Sequence, residues 1–304
     1  MNLLVTGAWK CTEENLRAIR NLGHSVVFMQ YETDELPCPY EWVEGIVCNG
    51  LFVSHPIEKF INLKYIQLTS AGFDRVPMDY VREHGIEIRN ARGVYSIPMA
   101  EFAVCGVLQL YKQSGFFRDK KKNRIWEKRR GLAELFGKKV VIVGCGSVGT
   151  ECARRFLAFG CTVDGVDLYP GENLFFSRVS GLEELDSELS DADIIVLTLP
   201  LTDETRHLIN RERLGLLKPG SVIVNIARGA IIDTDAMIEA LPRIGGAVLD
   251  VFEDEPLSEQ SPLWNFENVI LTPHNSFEGE GNKERLNRLI SDNLRKCLRN
   301  NSAV

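Results

Sequence analysis

The sequence predicts an α/β fold of two doubly wound, parallel sheets with an active-site cleft between them. Three observations support this prediction. Short apolar runs alternate with helical patterns along almost the whole chain of 304 residues, as they do where helices cover both faces of a parallel sheet. One long helical pattern interrupts the alternation. After it the alternation of strands and helices starts again, with a glycine-rich turn after the first strand. Clefts between two such blocks are where ligands bind.

The first block consists of strands with a helix after the first of them. Its segments are strand "NLLVTG", helix "TEENLRAIRNLG" and strands "HSVVFMQ", "EGIVCN", "KYIQLTS" and "IEIRNA". The segment "SIPMAEFAVCGVLQLYKQSGFF" then predicts one helix of about six turns. It runs into residues 118–130, where eight of thirteen residues are Lys or Arg. We interpret this basic run as a solvated helix end and loop.

The second block restarts the alternation and ends in a helix. Its segments are strand "KKVVIVG", helix "VGTECARRFLAFG", strands "TVDGVDL", "DIIVLTL" and "SVIVNIA", helix "TDAMIEAL" and strands "GGAVLDV" and "NVILTP". Residues 283–300 are predicted to form an amphipathic helix that packs against another element. Its apolar stripe is Leu286, Leu289, Ile290, Leu294 and Leu298.

The composition excludes several classes of function. The formal net charge of −7 argues against nucleic acid or an anionic membrane as partner, because such contacts need a basic surface. The eight cysteines contain no CxxC pair and no Cys/His cluster at zinc spacing, so we expect free thiols and no metal. The sequence shows neither a signal peptide nor a membrane span. We therefore expect a cytoplasmic protein.

The second block opens with a dinucleotide-binding motif. In "VVIVGCGSVGTE", Gly144, Gly146 and Gly149 form G-x-G-x-x-G between an apolar strand and a helix. The first glycine permits a tight turn, the second lets the backbone approach a pyrophosphate, and the third lets helix and strand pack closely. The N–H groups around Ser147 and Val148, at the helix start, would face the phosphates. This context predicts a Rossmann-like cofactor domain.

Asp167 follows at the end of the next strand, where the motif needs a carboxylate for the ribose diol. The residues that come after it, Leu168, Tyr169 and Pro170, offer no positive charge for a 2′-phosphate. The sequence therefore favours NAD over NADP. The alternative is structural: the glycines serve only a turn, and Asp167 caps a loop.

Three polar residues follow strands of this block, at the edge where such sheets bind ligands. They are Arg228 after "SVIVNIA", Glu255 just beyond "GGAVLDV", whose strand ends near Asp250, and His274 after "NVILTP". Reduction of a 2-keto acid needs a cation for the carboxylate, an acid for the developing alkoxide, and a group that supports that acid. A guanidinium binds carboxylates in bidentate fashion, an imidazole titrates near neutral pH, and a carboxylate fixes its tautomer.

Each of these three residues also has a structural explanation. Arg228 could form an ion pair, Glu255 could cap a loop, and His274 could be a packed histidine. The other four histidines stand at turn or helix edges without comparable neighbours, and we interpret them as surface or structural residues.

Several motifs in one order resemble a known family, the D-isomer-specific 2-hydroxyacid dehydrogenases, which includes D-lactate, glycerate and phosphoglycerate dehydrogenases. They are "GCGSVG" with Asp167, "LPLTDETRHLIN", "NIARGAIID", "LDVFEDEP" and "NVILTPH". The resemblance implies that Arg228, Glu255 and His274 are the catalytic group. It also implies a cofactor role for Leu199, Pro200, Thr205, Ile226, Ala227 and Asp250, and a backbone clamp for the substrate carboxylate at Ala71 and Gly72.

The resemblance further implies a discontinuous architecture. Residues 1–98 and 271–304 would form the substrate-binding domain, and residues 99–270 the NAD-binding domain inserted between them. The long helix after Pro98 would take part in a homodimer interface, with Trp126 and the basic run near the partner subunit.

The sequence also departs from the family pattern. The loop "CNGLFVSHP" carries Leu51 and Phe52 where phosphoglycerate-type members carry arginines, so we expect an unphosphorylated 2-keto or 2-hydroxy acid. Asn275 and Phe277 stand where small residues are common. Two alternatives remain: a phosphoglycerate dehydrogenase-like enzyme, and an NADH-sensing scaffold similar to corepressors of this fold. In formate dehydrogenases the histidine pairs with glutamine, and Glu255 fits the keto-acid branch better.

Overall fold

The computed structural model describes residues 1–301, with side chains as far as Cys297. Residues 302–304, the end of the predicted segment 271–304, and the side chain of Leu298 lie outside the described residues. The chain divides into two compact units, one of residues 1–95 with the segment from 279 onward, and one of residues 96–278. None of the helices in the described part is both long and apolar enough to cross a membrane.

The first unit is a five-stranded sheet in the order β2-β1-β3-β4-β5, with every pair parallel. Leu4 packs on one face of the sheet, and Leu3 and Val5 pack on the other. Both faces are therefore covered, as in a doubly wound fold. The elements are β1 Asn2–Thr6, α1 Glu13–Asn21, β2 Ser25–Met29, β3 Gly45–Cys48, α2 Leu51–Ser54, β4 Tyr65–Leu68, α3 Met78–Glu83 and β5 Glu87–Arg89.

The second unit is a seven-stranded parallel sheet in the order β12-β11-β10-β9-β6-β7-β8. Val141 and Val143 pack on one face, and Val140 and Ile142 on the other. The two parallel α/β units predicted from the sequence are thus confirmed. The elements are α4 Ser96–Tyr111, α5 Ser114–Lys122, β6 Lys139–Val143, α6 Ser147–Ala158, β7 Thr162–Val166, β8 Val179–Ser180, α7 Leu185–Asp191, β9 Ile194–Leu197, α8 Arg211–Leu216, β10 Val222–Asn225, α9 Thr234–Ala240, β11 Gly246–Leu249 and β12 Val269–Leu271.

The single six-turn helix predicted after residue 95 is wrong, because the structure has two helices there, α4 and α5. Gln113 lies between them in the left-handed backbone conformation, with φ of 53°, which ends a right-handed helix. Lys112, at this break, donates from Nζ to the carbonyl oxygen of Ala133 at 2.7 Å. The basic residues from Lys121 to Arg130 are exposed, in keeping with a solvated helix end and loop.

The last helix, α10 (Asn282–Asn301), packs on the first unit through the apolar stripe that the sequence predicted. Leu286, Ile290 and Leu294 are buried in the cluster that also contains Leu3 and Val5. The indole Nε1 of Trp9 donates to Asn287 Oδ1 at 2.8 Å, and this bond adds a polar link to the apolar packing.

The limits of the units differ from those expected, which were 98/99 and 270/271. The second unit starts at Ser96, where α4 begins, and it includes the loop with His274. The reason is that Asp250, after β11, binds this loop through the backbone N–H groups of Asn275 and Ser276, at 2.8 and 2.9 Å. The binding roles given to the two domains stay predictions.

Candidate active site

Three neighbouring strands of the second unit carry the residues predicted to be catalytic. β10, β11 and β12 are adjacent and parallel, with Asn225 opposite Leu249 and Leu249 opposite Leu271. The loops that follow them, with Arg228, Glu255 and His274, therefore leave the same edge of the sheet. In parallel α/β sheets this carboxyl edge is where ligands bind.

His274 and Glu255 are in contact. The ring nitrogen Nδ1 of His274 lies 2.9 Å from Glu255 Oε2, and the other carboxylate oxygen accepts the backbone N–H of Phe252 at 3.1 Å. Because the carboxylate accepts, Nδ1 carries the hydrogen and Nε2 is the nitrogen left for a ligand. Within residues 1–301 we find no hydrogen-bond partner for this Nε2. The pair is about 40% exposed, at 41% for the histidine and 38% for the glutamate, so solvent reaches it.

The side chain of Asp250 holds the loop that contains His274 through hydrogen bonds. Its side chain has no exposed surface, and it accepts hydrogen bonds from Thr272 Oγ1 at 2.7 Å and from the N–H groups of Asn275 and Ser276. Its carbonyl oxygen accepts the N–H of His274 at 2.7 Å. His274 itself has φ of 51°, a left-handed conformation that costs a non-glycine residue free energy. These bonds show Asp250 as the anchor of the loop, and its role in cofactor binding stays a prediction.

Arg228 follows β10 in a loop that Asn225 organises. Asn225 is 1% exposed; its Nδ2 donates to the carbonyl oxygen of Arg228 at 2.9 Å, and its Oδ1 accepts the N–H of Ala227 at 3.1 Å. Ile226 and Ala227 are buried, whereas Arg228 is half-buried. Sequence reasoning missed Asn225, although a polar residue ending an otherwise apolar strand was a visible signal.

The glycine motif has the geometry that a dinucleotide needs. Gly144 has φ of 103°, and a Cβ on it would lie 2.6 Å from the backbone nitrogen of Leu199; a Cβ on Gly149 would lie 2.0 Å from the carbonyl oxygen of Gly144. Helix α6 starts at Ser147, after Gly146, which has no side chain to cap it. The N–H groups of its first turn, including that of Val148, therefore remain available to an anion. The residues present fit the cofactor.

Asp167 lies just beyond β7, half-buried. Its Oδ2 accepts the N–H of Cys145 at 2.6 Å, and its Oδ1 accepts the N–H of Tyr169 at 2.9 Å. A carboxylate offers about four acceptor sites, so it retains capacity for ribose hydroxyls. Burial and the nearby charge of Asp167 raise the pKa of the Cys145 thiol to about 12. This cysteine of the motif therefore stays protonated and is a poor nucleophile.

The loop after β9 contains the remaining predicted cofactor residues. Leu199 is buried and Pro200 is exposed. Thr205 is fully buried, and its hydroxyl donates to the carbonyl oxygen of Pro200 at 2.7 Å and accepts the N–H of Thr202 at 2.7 Å. Thr205 thus shapes the turn that presents Pro200, and its own contact with a cofactor stays a prediction. Thr198, not predicted, donates from Oγ1 to the carbonyl oxygen of Gly144 at 2.6 Å and so ties this loop to the glycine turn.

Two residues next to His274 were singled out as departures from the family pattern. The ring of Phe277 lies edge-on to the imidazole, with centroids 6.3 Å apart and planes at 79°. Asn275 is exposed while its backbone is held by Asp250. An aromatic ring beside the proposed proton donor restricts what can approach it from that side.

In the first unit, Ala71 and Gly72 lie in the loop that follows β4, at the carboxyl edge of that sheet. Across the described part of the chain, neither of their backbone N–H groups has an acceptor. Two successive backbone N–H groups in a turn are suited to an anion, and the binding of a substrate carboxylate by Ala71 and Gly72 stays a prediction. The described residues contain no cluster of three or more His, Cys, Asp or Glu side chains arranged to hold a metal.

Comparison with known proteins gives one consistent result. Residues 104–276 match the family described as "D-isomer specific 2-hydroxyacid dehydrogenase, NAD binding domain". A D-3-phosphoglycerate dehydrogenase of Methanocaldococcus jannaschii is 35% identical over 80% of this chain, but the chain covers only 47% of that protein. A glyoxylate reductase of Thermofilum pendens is 34% identical over 78% of this chain and 73% of its own length.

A solved structure covers nearly the whole chain. The D-lactate dehydrogenase of Aquifex aeolicus, complexed with NAD and lactic acid, superposes with a TM-score of 0.76 at 27% identity, over 98% of this chain and 96% of that one.

Proposed function

Because the chain belongs to the D-isomer-specific 2-hydroxyacid dehydrogenase family, we propose that it reduces a small, unphosphorylated 2-keto acid to the 2-hydroxy acid. As a member it is an oxidoreductase of the CH–OH group with an NAD-binding domain. The observation that carries the proposal is the contact of 2.9 Å between His274 Nδ1 and Glu255 Oε2, at the carboxyl edge of the sheet that holds the glycine motif.

Bound at the glycine motif and Asp167, NADH would supply the hydride for the carbonyl carbon of the keto acid. His274 donates the proton from Nε2 to the carbonyl oxygen as negative charge develops there. Glu255 keeps the hydrogen on Nδ1 and stabilises the imidazolium before transfer. In the direction of oxidation, Nε2 takes the proton back from the hydroxyl group.

Arg228 is proposed to bind the substrate carboxylate, since a guanidinium matches the two carboxylate oxygens. Asn225 fixes the backbone from which its side chain extends, as described above. The backbone N–H groups of Ala71 and Gly72 are likewise proposed to bind the substrate carboxylate. The preference for NAD over NADP is supported by residues 168–175, which contain Glu172 and no Lys or Arg.

The segment after β3, which forms the short helix α2, supports an unphosphorylated substrate. Leu51 is fully buried, and Phe52 packs edge-on against Phe60, with ring centroids 6.1 Å apart. One observation favours the alternative of a phosphorylated substrate: the Arg75 side chain passes Gly50, with its Cδ 3.2 Å from where a Cβ would stand. A cation at this loop could meet a second anionic group.

The experiment that tests the proposal is an NADH-oxidation screen. Glyoxylate, pyruvate, hydroxypyruvate, branched and aromatic keto acids and phosphohydroxypyruvate should be compared by kcat/KM. We expect turnover of at least one unphosphorylated acid and a lower kcat/KM for phosphohydroxypyruvate. The reverse order would favour the phosphoglycerate-type enzyme. Tight NADH binding without turnover of any acid would favour the NADH-sensing scaffold.

We also propose that the protein forms a homodimer through an interface on the exposed face of α4. This face has a cavity of about 530 Å³ whose lining includes the apolar Val104, Leu108 and Phe159 and the charged Glu101 and Arg155. Beyond α5, Trp126 is 98% exposed in the basic segment, and large apolar side chains left in water are typical of interaction surfaces. Analytical ultracentrifugation should give twice the chain mass, and a monomer would contradict the assignment.

A further inference from the structure

All four carbonyl groups of the loop from Thr69 to Gly72 accept hydrogen bonds within the first unit. The Thr69 oxygen accepts from the Tyr95 hydroxyl, and the Ser70 oxygen accepts from the N–H of Ala91 at 2.8 Å. The Gly72 oxygen accepts from Ser70 Oγ at 3.0 Å. The fourth, that of Ala71, accepts from the side-chain Nδ2 of Asn90 at 2.5 Å. The orientation of every peptide plane in this loop is therefore determined by a named donor.

Fixing a carbonyl group also fixes the N–H group of the next residue. A trans peptide is planar, so its N–H points opposite to its C=O. The bond from Ala91 to the Ser70 oxygen thus orients the N–H of Ala71. The bond from Asn90 to the Ala71 oxygen orients the N–H of Gly72, and the described residues provide no acceptor for either N–H group.

Asn90 is itself held in place. It follows β5 directly, and its Oδ1 accepts the backbone N–H of Arg92 at 3.2 Å. Beneath it, Gln67 is fully buried, and its Nε2 reaches the carbonyl oxygens of Leu68 and Asn90 at 2.9 and 3.4 Å. Gln67 Oε1 accepts from Asn293 Nδ2, on α10, at 2.8 Å. The Asn90 side chain, which donates to the Ala71 carbonyl group, is therefore supported by partly buried polar contacts that reach the C-terminal helix.

We infer that Asn90 is a positioning residue for substrate binding: it directs the N–H of Gly72 toward the carboxylate of the 2-keto acid. The inference rests on the proposed function, because the carboxylate is the ligand given to this loop. Without the Asn90 amide, the peptide between Ala71 and Gly72 can rotate, and binding must then order it at a cost in free energy. The role inferred for Asn90 is in binding alone, so chemistry at saturation should be unaffected.

The test uses Asn90→Leu, which keeps side-chain size and removes the donor without adding charge. Its matched control is Asn62→Leu, since Asn62 Nδ2 donates to the Glu41 carbonyl oxygen at 2.6 Å elsewhere in the same unit. For Asn90→Leu we expect KM for the best keto acid to rise about three- to tenfold, the effect of one hydrogen bond. We expect kcat and the NADH Kd to stay within about twofold of the wild-type values, and Asn62→Leu to leave all three unchanged.

Binding of oxamate to the NADH complex, measured by calorimetry, separates this inference from the proposed function. Oxamate is an unreactive mimic of a 2-keto acid, so its Kd tests carboxylate binding even without turnover. A larger oxamate Kd for Asn90→Leu, with the Kd of Asn62→Leu unchanged, supports the inference. An equal Kd for both variants, or no oxamate binding to the wild type, overturns it. Should Asn90→Leu fail to fold, Asn90→Ala removes the same donor without the bulk. Absence of turnover with normal oxamate binding would count against the proposed function only.

Discussion

Replacing Glu255 by glutamine tests the central contact of the site with the smallest change in shape. In Glu255→Gln, the amide oxygen would keep the hydrogen bond from the N–H of Phe252, now 3.1 Å long. The amide NH₂ group would then take the position of the carboxylate oxygen Oε2 and face Nδ1 of His274. Nδ1 would have to accept a hydrogen bond rather than donate one. The imidazolium form of His274 would then lose the carboxylate that stabilises it. We expect slower proton transfer with unchanged cofactor binding.

The size of the effect follows from the distance and the exposure of the pair. Two unit charges about 4 Å apart interact by about 1 kcal/mol in water and about 4 kcal/mol at an effective dielectric constant of about 20. The side chains are 41% and 38% exposed, so we take about 2 kcal/mol, between these limits and reduced for solvent screening. That figure corresponds to a fall of about 30-fold in kcat/KM.

The assay is NADH oxidation with the best keto acid, together with a fluorescence titration of NADH. The chain offers a matched control in Glu253→Gln, because Glu253 Oε1 lies 2.5 Å from Nε2 of His207 in a second Glu–His pair. Glu253→Gln should leave kcat/KM within about twofold of the wild type. A Glu255→Gln enzyme as active as this control would refute the role given to the pair.

Four further changes test the other features. His274→Ala should lower kcat by about 10² to 10⁴-fold with NADH binding intact, and an unchanged rate would exclude it as the proton donor. Asp167→Ala should weaken NADH binding about tenfold through the lost ribose hydrogen bonds and affect NADPH less; equal losses in fluorescence titrations would contradict the NAD preference. Lys139→Met removes the ammonium group that lies 3.1 Å from Glu188, a carboxylate only 1% exposed. The loss should lower the free energy of unfolding, measured in urea, by about 2 kcal/mol. An unchanged free energy of unfolding would contradict this. Burial, aided by the nearby N-terminal charge, lowers the pKa of His24. The unfolded chain therefore binds the proton more readily, and the free energy of unfolding should decrease as the pH drops below about 6.5. Urea titrations of His24→Gln should show a smaller decrease, and an equal decrease would contradict the assignment.

The strand pattern was predictable because a parallel sheet covered on both faces needs apolar residues in nearly every strand position. Each predicted strand of the second unit is present, and β8, only Val179 and Ser180, was not predicted because two residues carry no periodic signal. The break at Gln113 was not predicted either, because Gln113 is neither glycine nor proline and the nearby Gly115 was included in the helical segment. Helical periodicity on both sides of a single left-handed residue reads as one helix.

The sequence by itself determined the family, the α/β class, the glycine motif and the identity of the three candidate catalytic residues. These follow from residue type and spacing, which the chemistry of hydride transfer and phosphate binding constrains directly. Only the tertiary structure decided what holds those residues in place. Asp250 anchors the His274 loop, Asn225 the Arg228 loop, and Asn90 the Gly72 peptide. Such bonds join a side chain to a backbone group of another segment or turn, and no local pattern encodes which carbonyl or N–H a folded chain brings within reach.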